Sequence, residues 1–126
     1  MDYHINESEY RLMDILWDVQ PINSMELVGL CREQLGWKKS TTYTVLRNLG
    51  EKQILRNENA VVQALVSRGE IQRQESRDFL KKKFRGSLPA FIAAFLQEEK
   101  LTKKEAEELQ ELINQASEGG GNDSVF

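Results

Sequence analysis

The chain has 126 residues, 40% apolar and 29% charged, with a formal net charge of −3; this suits one full domain, or two small ones sharing a core, of a helical globular protein and not a disordered chain. No apolar run approaches the ~20 residues of a membrane span, the start "MDYHINESEY" lacks the basic opening and apolar core of a secretory leader, and the single cysteine, Cys31, excludes an internal disulfide and a zinc spacing. A reduced, cytoplasmic location without membrane insertion is the expectation, and the acidic total by itself gives no sign of nucleic acid.

The first helix is expected over about 7–18. Asn6 is a natural N-cap with Glu9 three residues on, as in a capping box. Tyr10, Met13, Leu16 and Trp17 then recur at helical spacing, with Leu12 widening the stripe, before Gln20 and Pro21 end it. Ile22 is a candidate for a short strand. Asn23 and Glu26 repeat the capping pattern for a second helix, whose apolar face is Leu27, Leu30, Cys31 and Leu35 and whose stop is Gly36. A third helix follows in "WKKSTTYTVLRNLGEKQIL". Thr42, Val45, Leu46 and Leu49 form its buried stripe, which leaves Ser40, Tyr43, Thr44 and Arg47 on the opposite face. "ILRNENAVVQALVS" reads as strand, turn, strand, with Asn57-Glu58-Asn59 as the turn.

From Arg68 the chain is helical again, with Phe79, Leu80 and Phe84 in the apolar part and a break at Gly86 and Ser87. "SLPAFIAAFLQEE" carries Leu88, Phe91, Ile92, Phe95 and Leu96 at helical spacing, with Pro89 tolerated in the first turn. A last helix starts at Thr102, with Glu105 completing a capping box and Ala106, Leu109, Leu112, Ile113 and Ala116 as its stripe. Residues 119–126 are expected to be a flexible tail.

Charge is unevenly placed along this order. Between Arg32 and Arg56 six basic residues (Arg32, Lys38, Lys39, Arg47, Lys52, Arg56) face two acidic ones, whereas Glu98 to Glu118 holds seven acids and three lysines. One half therefore suits an anion and the other suits solvent or a partner, although two ordinary solvated faces give the same counts.

Three helices and a hairpin in some 65 residues is the order of a winged helix-turn-helix. The fold class is thus mainly α with a small β hairpin: a winged-helix DNA-binding domain over 1–67 and a helical dimerisation domain over 68–118. In such a fold the third helix enters the major groove by its N-terminal residues. Small hydroxyls there allow close approach and donate to phosphate or base acceptors. Lys38 and Lys39 sit beside the positive end of the helix dipole, Arg47 reaches phosphate or a guanine edge, and Arg56, Asn57 and Asn59 serve as wing contacts. The alternative for Ser40 and Thr41 is that they only cap the helix. The last three helices are too thin to bury Phe91 and Phe95 alone, and a second copy is the economical cover.

Four segments resemble the penicillinase-repressor family (the BlaI/MecI/CopY group). "ESEYRLMDILWD" is similar to its opening helix, and "TTYTVLRNLGEKQIL" to its recognition pattern Thr-Val-x-Thr-Leu-Leu-x-Arg-Leu-x-x-Lys-Gly. "FLKKKFRGSLPAFIAAF" is similar to its Phe-Leu-x-x-x-Phe-x-Gly-Ser segment, and "LTKKEAEELQELI" to its last helix. The resemblance covers about Ile5 to Gln115, in order. It implies a homodimeric winged-helix repressor of palindromic double-stranded operator DNA, of the kind that controls β-lactam-resistance or other stress operons. Ser40, Thr41, Thr44 and Arg47 fall on the family's DNA-facing positions and Arg56 on the start of the wing. Leu88, Phe91, Ile92, Phe95, Leu109, Leu112 and Ile113 fall on its dimerisation helices, and Phe84 and Leu96 are further dimerisation candidates. The chain departs from the pattern at Asn48 (usually Arg), Thr42 (usually Val) and Gln53 (usually Gly). It lacks the Cys-x-Cys motifs of copper-responsive members. Where β-lactam-responsive members carry an Asn-Phe bond cut after signalling by a membrane sensor protease, this chain has Ala94-Phe95.

Two other classes compete with a repressor. One is a winged-helix protein-interaction module without DNA binding. The other is an enzyme, which the sequence disfavours: no nucleophile–base pair or metal cluster is evident, and the one histidine, His4, reads as an exposed terminal residue. No cofactor or metal is expected.

Overall fold

The structure, a computed structural model, describes residues 3–119. The elements run α1 (Glu7–Val19), β1 (Ile22–Asn23), α2 (Ser24–Leu35), α3 (Lys39–Glu51), β2 (Leu55–Glu58), β3 (Val61–Ala64), α4 (Arg68–Phe84), α5 (Leu88–Phe95) and α6 (Lys103–Gly119). Two compact units divide the chain, the first ending at Phe79 and the second beginning at Leu80, so the division falls inside α4. The architecture is the expected one: mainly helical, with a small antiparallel sheet of strand order β1-β3-β2.

Helix starts are set by reciprocal caps. Asn6 Oδ1 accepts from Glu9 N–H while Glu9 Oε1 accepts from Asn6 N–H, both at 2.8 Å. The same exchange links Ser67 with Glu70 and Thr102 with Glu105. Each satisfies two backbone donors that a helix end otherwise leaves to water. At α2 the expected repeat of this box is replaced by a simpler cap, since Asn23 Oδ1 accepts from Met25 N–H, one residue before Glu26. Gly36, at φ 72°, closes α2 in the left-handed region that its missing Cβ permits.

In the first unit the buried stripes of three helices meet the sheet. Leu12, Met13 and Leu16 of α1, Leu27 and Cys31 of α2, and Val45, Leu46 and Leu49 of α3 pack with Ile54, Leu55, Val62, Val66 and Ile71. Each large side chain so buried stabilises the fold by roughly 1.5–3 kcal/mol before the entropy of ordering is counted. Trp17 joins α1 to the segment that follows the sheet, its indole N–H donating to Val66 O at 2.9 Å. Arg68 lies 5.3 Å from that ring and pairs with Asp14 (2.9 Å) and Asp18 (3.2 Å), which holds the start of α4 against α1.

The hairpin corrects one sequence expectation. Glu58 is paired with Val61, so the turn is the two residues Asn59-Ala60, and Asn57 and Glu58 belong to β2. Both turn residues have positive φ (53° and 62°), the backbone of the I′ turn whose twist matches a tight hairpin. Ala60 O accepts from Ser24 N–H at 2.8 Å and ties the tip to the start of α2. The short strand expected at Ile22 exists and pairs with Val62.

In the second unit, Ser87 Oγ caps α5 by accepting from Ala90 N–H. The helix stops at Phe95, before the end of the segment "SLPAFIAAFLQEE" in which the sequence placed helical spacing through Leu96. Gln97, Glu98 and Glu99 are exposed polar residues with no apolar face to bury, and carboxylates oppose the negative end of the helix dipole. The expected tail from 119 is shortened, because α6 includes Gly119; the rest lies outside the described residues.

Candidate nucleic-acid interface

Helix α3 begins without a side-chain cap. Its N-cap is Lys38, and Ser40 and Thr41 lie inside the first turn, so their hydroxyls are not capping groups. Among the described residues, the side chains of Lys38, Lys39, Ser40, Thr41, Thr44 and Arg47 form no hydrogen bond or ion pair, and all six are exposed. Tyr43 differs: it is half-buried, with its hydroxyl 3.2 Å from Met25 Sδ on α2. The opposite face anchors the helix through Thr42, Val45, Leu46 and Leu49. Thr42 is fully buried and its hydroxyl donates to Lys38 O. Burial pushes the Cys31 thiol above its ordinary range, only partly offset by its hydrogen bonding with the Thr42 side chain, so Cys31 is a core residue and not a nucleophile.

The C-terminal end of α3 explains two positions singled out in the sequence. Gln53 has φ 62° and its N–H donates to Gly50 O, while Ile54 N–H donates to Leu49 O, both at 3.0 Å. This is the paired closure of a Schellman motif, with Leu49 and Ile54 in apolar burial across it. Gln53 therefore occupies a left-handed position that favours glycine. Lys52, counted among the basic residues of this segment, points inward: its Nζ is 2.7 Å from Glu9 Oε1 and 2.8 Å from His4 O. Asn48 is half-buried, and its carbonyl accepts from Lys52 N–H at 3.1 Å.

On the wing, Arg56 is exposed and paired with Glu58 on the same strand face at 3.1 Å. Asn57 is an exposed residue of β2 and Asn59 stands at the tip. Between α3 and the hairpin lies an open cleft of about 540 Å³. Tyr43, Arg47, Arg56 and Asn57 border it, as do Gly50, Gln53 and Leu65, none of which the sequence marked as a DNA contact. Leu65 falls just past β3, half exposed, on the outward side of the alternation that buries Val62 and Val66.

In the second unit Leu88, Phe95, Leu96, Leu109, Leu112 and Ile113 are exposed, while Phe84, Phe91 and Ile92 are partly buried. Phe84, Phe91 and Phe95 form a row with ring centroids 5.4 and 6.5 Å apart. Ala94 and Phe95 lie in the last turn of α5, both exposed. No helix among the described residues is long and apolar enough to cross a membrane, and no metal-holding cluster occurs among them.

Three helices closed by a hairpin, with one helix presenting hydroxyls and unpaired cations beside the wing, define a winged helix-turn-helix protein. The penicillinase repressor family model matches residues 5–115, and the chain belongs to that family. The family is one of transcriptional repressors and not of enzymes. Among its relatives is the methicillin resistance regulatory protein MecI of Staphylococcus aureus strain N315, 25% identical over 116 residues, 89% of this chain and 94% of the relative. The penicillinase repressor of Staphylococcus aureus is 25% identical over 117 residues, 90% and 93% of the two chains. That of Bacillus licheniformis is 23% identical over 115 residues, 88% and 90%.

Proposed function

We propose that the protein is a homodimeric repressor that binds palindromic operator DNA by α3 and the wing, in the cytoplasm, and controls a β-lactam-resistance-type or other stress operon. The observation that carries this reading is the exposed α3 face formed by Lys38, Lys39, Ser40, Thr41, Thr44 and Arg47, whose cations and hydroxyls are left unengaged by the rest of the described residues. Ser40, Thr41 and Thr44 let the helix approach base edges, Lys38 and Lys39 meet phosphate, and Arg47 reaches a base edge or phosphate. Arg56, Asn57 and Asn59 hold the flanking backbone, with Arg56 exchanging Glu58 for phosphate. A dimer through α5 and α6 sets two such helices about 34–36 Å apart, one turn of DNA. Derepression follows loss of the dimer, with the Ala94-Phe95 bond as the position where a membrane sensor protease would cut.

The test is binding of the full chain to a palindromic duplex over a range of salt. Affinity should fall steeply as salt rises, because neutralised phosphates release counterions. Weak binding with a flat salt response would favour the protein-interaction module instead. A chain truncated after Gly86 should be monomeric and bind far more weakly; a stable dimer of that fragment in sedimentation would overturn the placement of the interface.

A further inference from the structure

Resting on the homodimer reading, we propose that a charge-complementary seam joins the two copies: the basic end of α4 in one chain meets the acidic rim of α6 in the other, and this seam sets the register of the dimer. Lys81, Lys82 and Lys83 fill the last turn of α4, and Arg85 follows at φ 52°. Among the described residues none of the four forms an ion pair or a side-chain hydrogen bond. Every ion pair among those residues lies between Glu7 and Arg68. The second unit thus carries charges of both signs that form no ion pair among the described residues.

The helix dipole favours cations in the last turn of α4. It does not account for Arg85 beyond the helix, nor for Glu107, Glu108 and Glu111, which follow the capping Glu105 along α6. Those acids are placed at an apolar edge: Glu105 and Glu108 share a surface groove of about 250 Å³ with Leu101, Leu109 and Leu112. The basic end also adjoins apolar surface, since Phe84 begins the aromatic row that continues through Phe91 to Phe95. Phe91 and Phe95 in turn line an apolar hollow of about 170 Å³ with Leu101 and Leu109. Basic and acidic groups therefore flank one continuous apolar surface. A twofold-related copy seated on that surface presents the same two groups in reverse, so each pairing occurs twice. Long-range attraction speeds the encounter, and like-charge contact penalises other registers.

The experiment measures the dimer dissociation constant of the full chain by sedimentation equilibrium at low and high salt. Lys81→Glu with Lys83→Glu, or Glu108→Lys with Glu111→Lys, should weaken the dimer on the order of tenfold at low salt. The difference should shrink in ~1 M salt, where screening acts within ~3 Å. The chain carrying all four substitutions should recover most of the lost affinity, a result that damage to folding cannot produce. Recovery failing, or either pair changing the constant less than twofold, overturns the seam. So does an unchanged dimer with a shallower salt slope for duplex binding, which would assign the lysines to DNA. A wild-type chain that stays monomeric refutes the homodimer reading itself.

Discussion

Lys52 Nζ lies 2.7 Å from Oε1 of Glu9, a carboxylate only 2% exposed, so the C-cap residue of α3 is held to the first turn of α1. The same oxygen accepts Asn6 N–H, which makes one carboxylate both helix cap and ion-pair partner. Glu9→Gln should destabilise the fold by about 2–3 kcal/mol. That is below the cost of splitting a fully buried pair, because Lys52 keeps partial contact with water. Urea denaturation checks this, and a double-mutant cycle with Lys52→Met should show a coupling of at least ~1 kcal/mol. Additive effects would show that the two groups do not act together.

Gln53 and Ala60 both hold left-handed backbone with a Cβ in place. Gln53→Gly and Ala60→Gly should each stabilise the protein by about 1 kcal/mol, since the steric penalty of the L side chain exceeds the entropy that glycine adds to the unfolded chain. A lower denaturation midpoint for either variant would show that its side chain contributes more than its backbone strain costs.

Arg47 and Lys38 are expected to fail differently. With Arg47 on a guanine edge, Arg47→Ala should cost ~1–3 kcal/mol of operator affinity and relax base preference at one position of each half-site. Lys38→Ala should weaken all duplexes alike and reduce the salt slope by about 1 for each phosphate left without its cation. Affinity unchanged in Arg47→Ala at controlled salt would remove Arg47 from the interface.

Ser67 and Glu70 allow a pH test. The Glu70 carboxyl is held below its ordinary value, first by the Ser67 N–H and then by the Ser67 hydroxyl. Its folded value is thus lower than its unfolded one. The ionised form contributes stability above the unfolded value, and that contribution is lost as pH falls through the folded value. Ser67→Ala should remove about 1 kcal/mol of capping at neutral pH. In the variant the Glu70 titration followed by NMR should move upward; an unmoved midpoint would show that the hydroxyl bond contributes nothing.

The capping boxes at Asn6 and Thr102, the apolar stripes and the order of helices and hairpin were legible because each is written in residues three or four apart, or two apart in a strand. The core-facing side of α3 was legible down to the buried Thr42. The wing turn was not, because Asn57-Glu58-Asn59 is as polar as any turn, while pairing of Glu58 with Val61 is a contact between strands that composition does not encode. Lys52 joined the basic residues on its charge, yet its partner Glu9 lies 43 residues earlier in the chain.

By itself the sequence determined the family, the order of the helices, the capping boxes at Asn6 and Thr102, and the face that α3 turns away from the core, since periodicity and short-range hydrogen bonds settle these. Only the tertiary structure decided which cations remain available. Lys52 is drawn inward by a buried carboxylate and Arg56 is paired across a strand face, whereas Lys38, Lys39 and Arg47 have no such partner among the described residues. The physical reason is that an ion pair depends on two side chains meeting in space, and the distance along the chain does not fix that meeting.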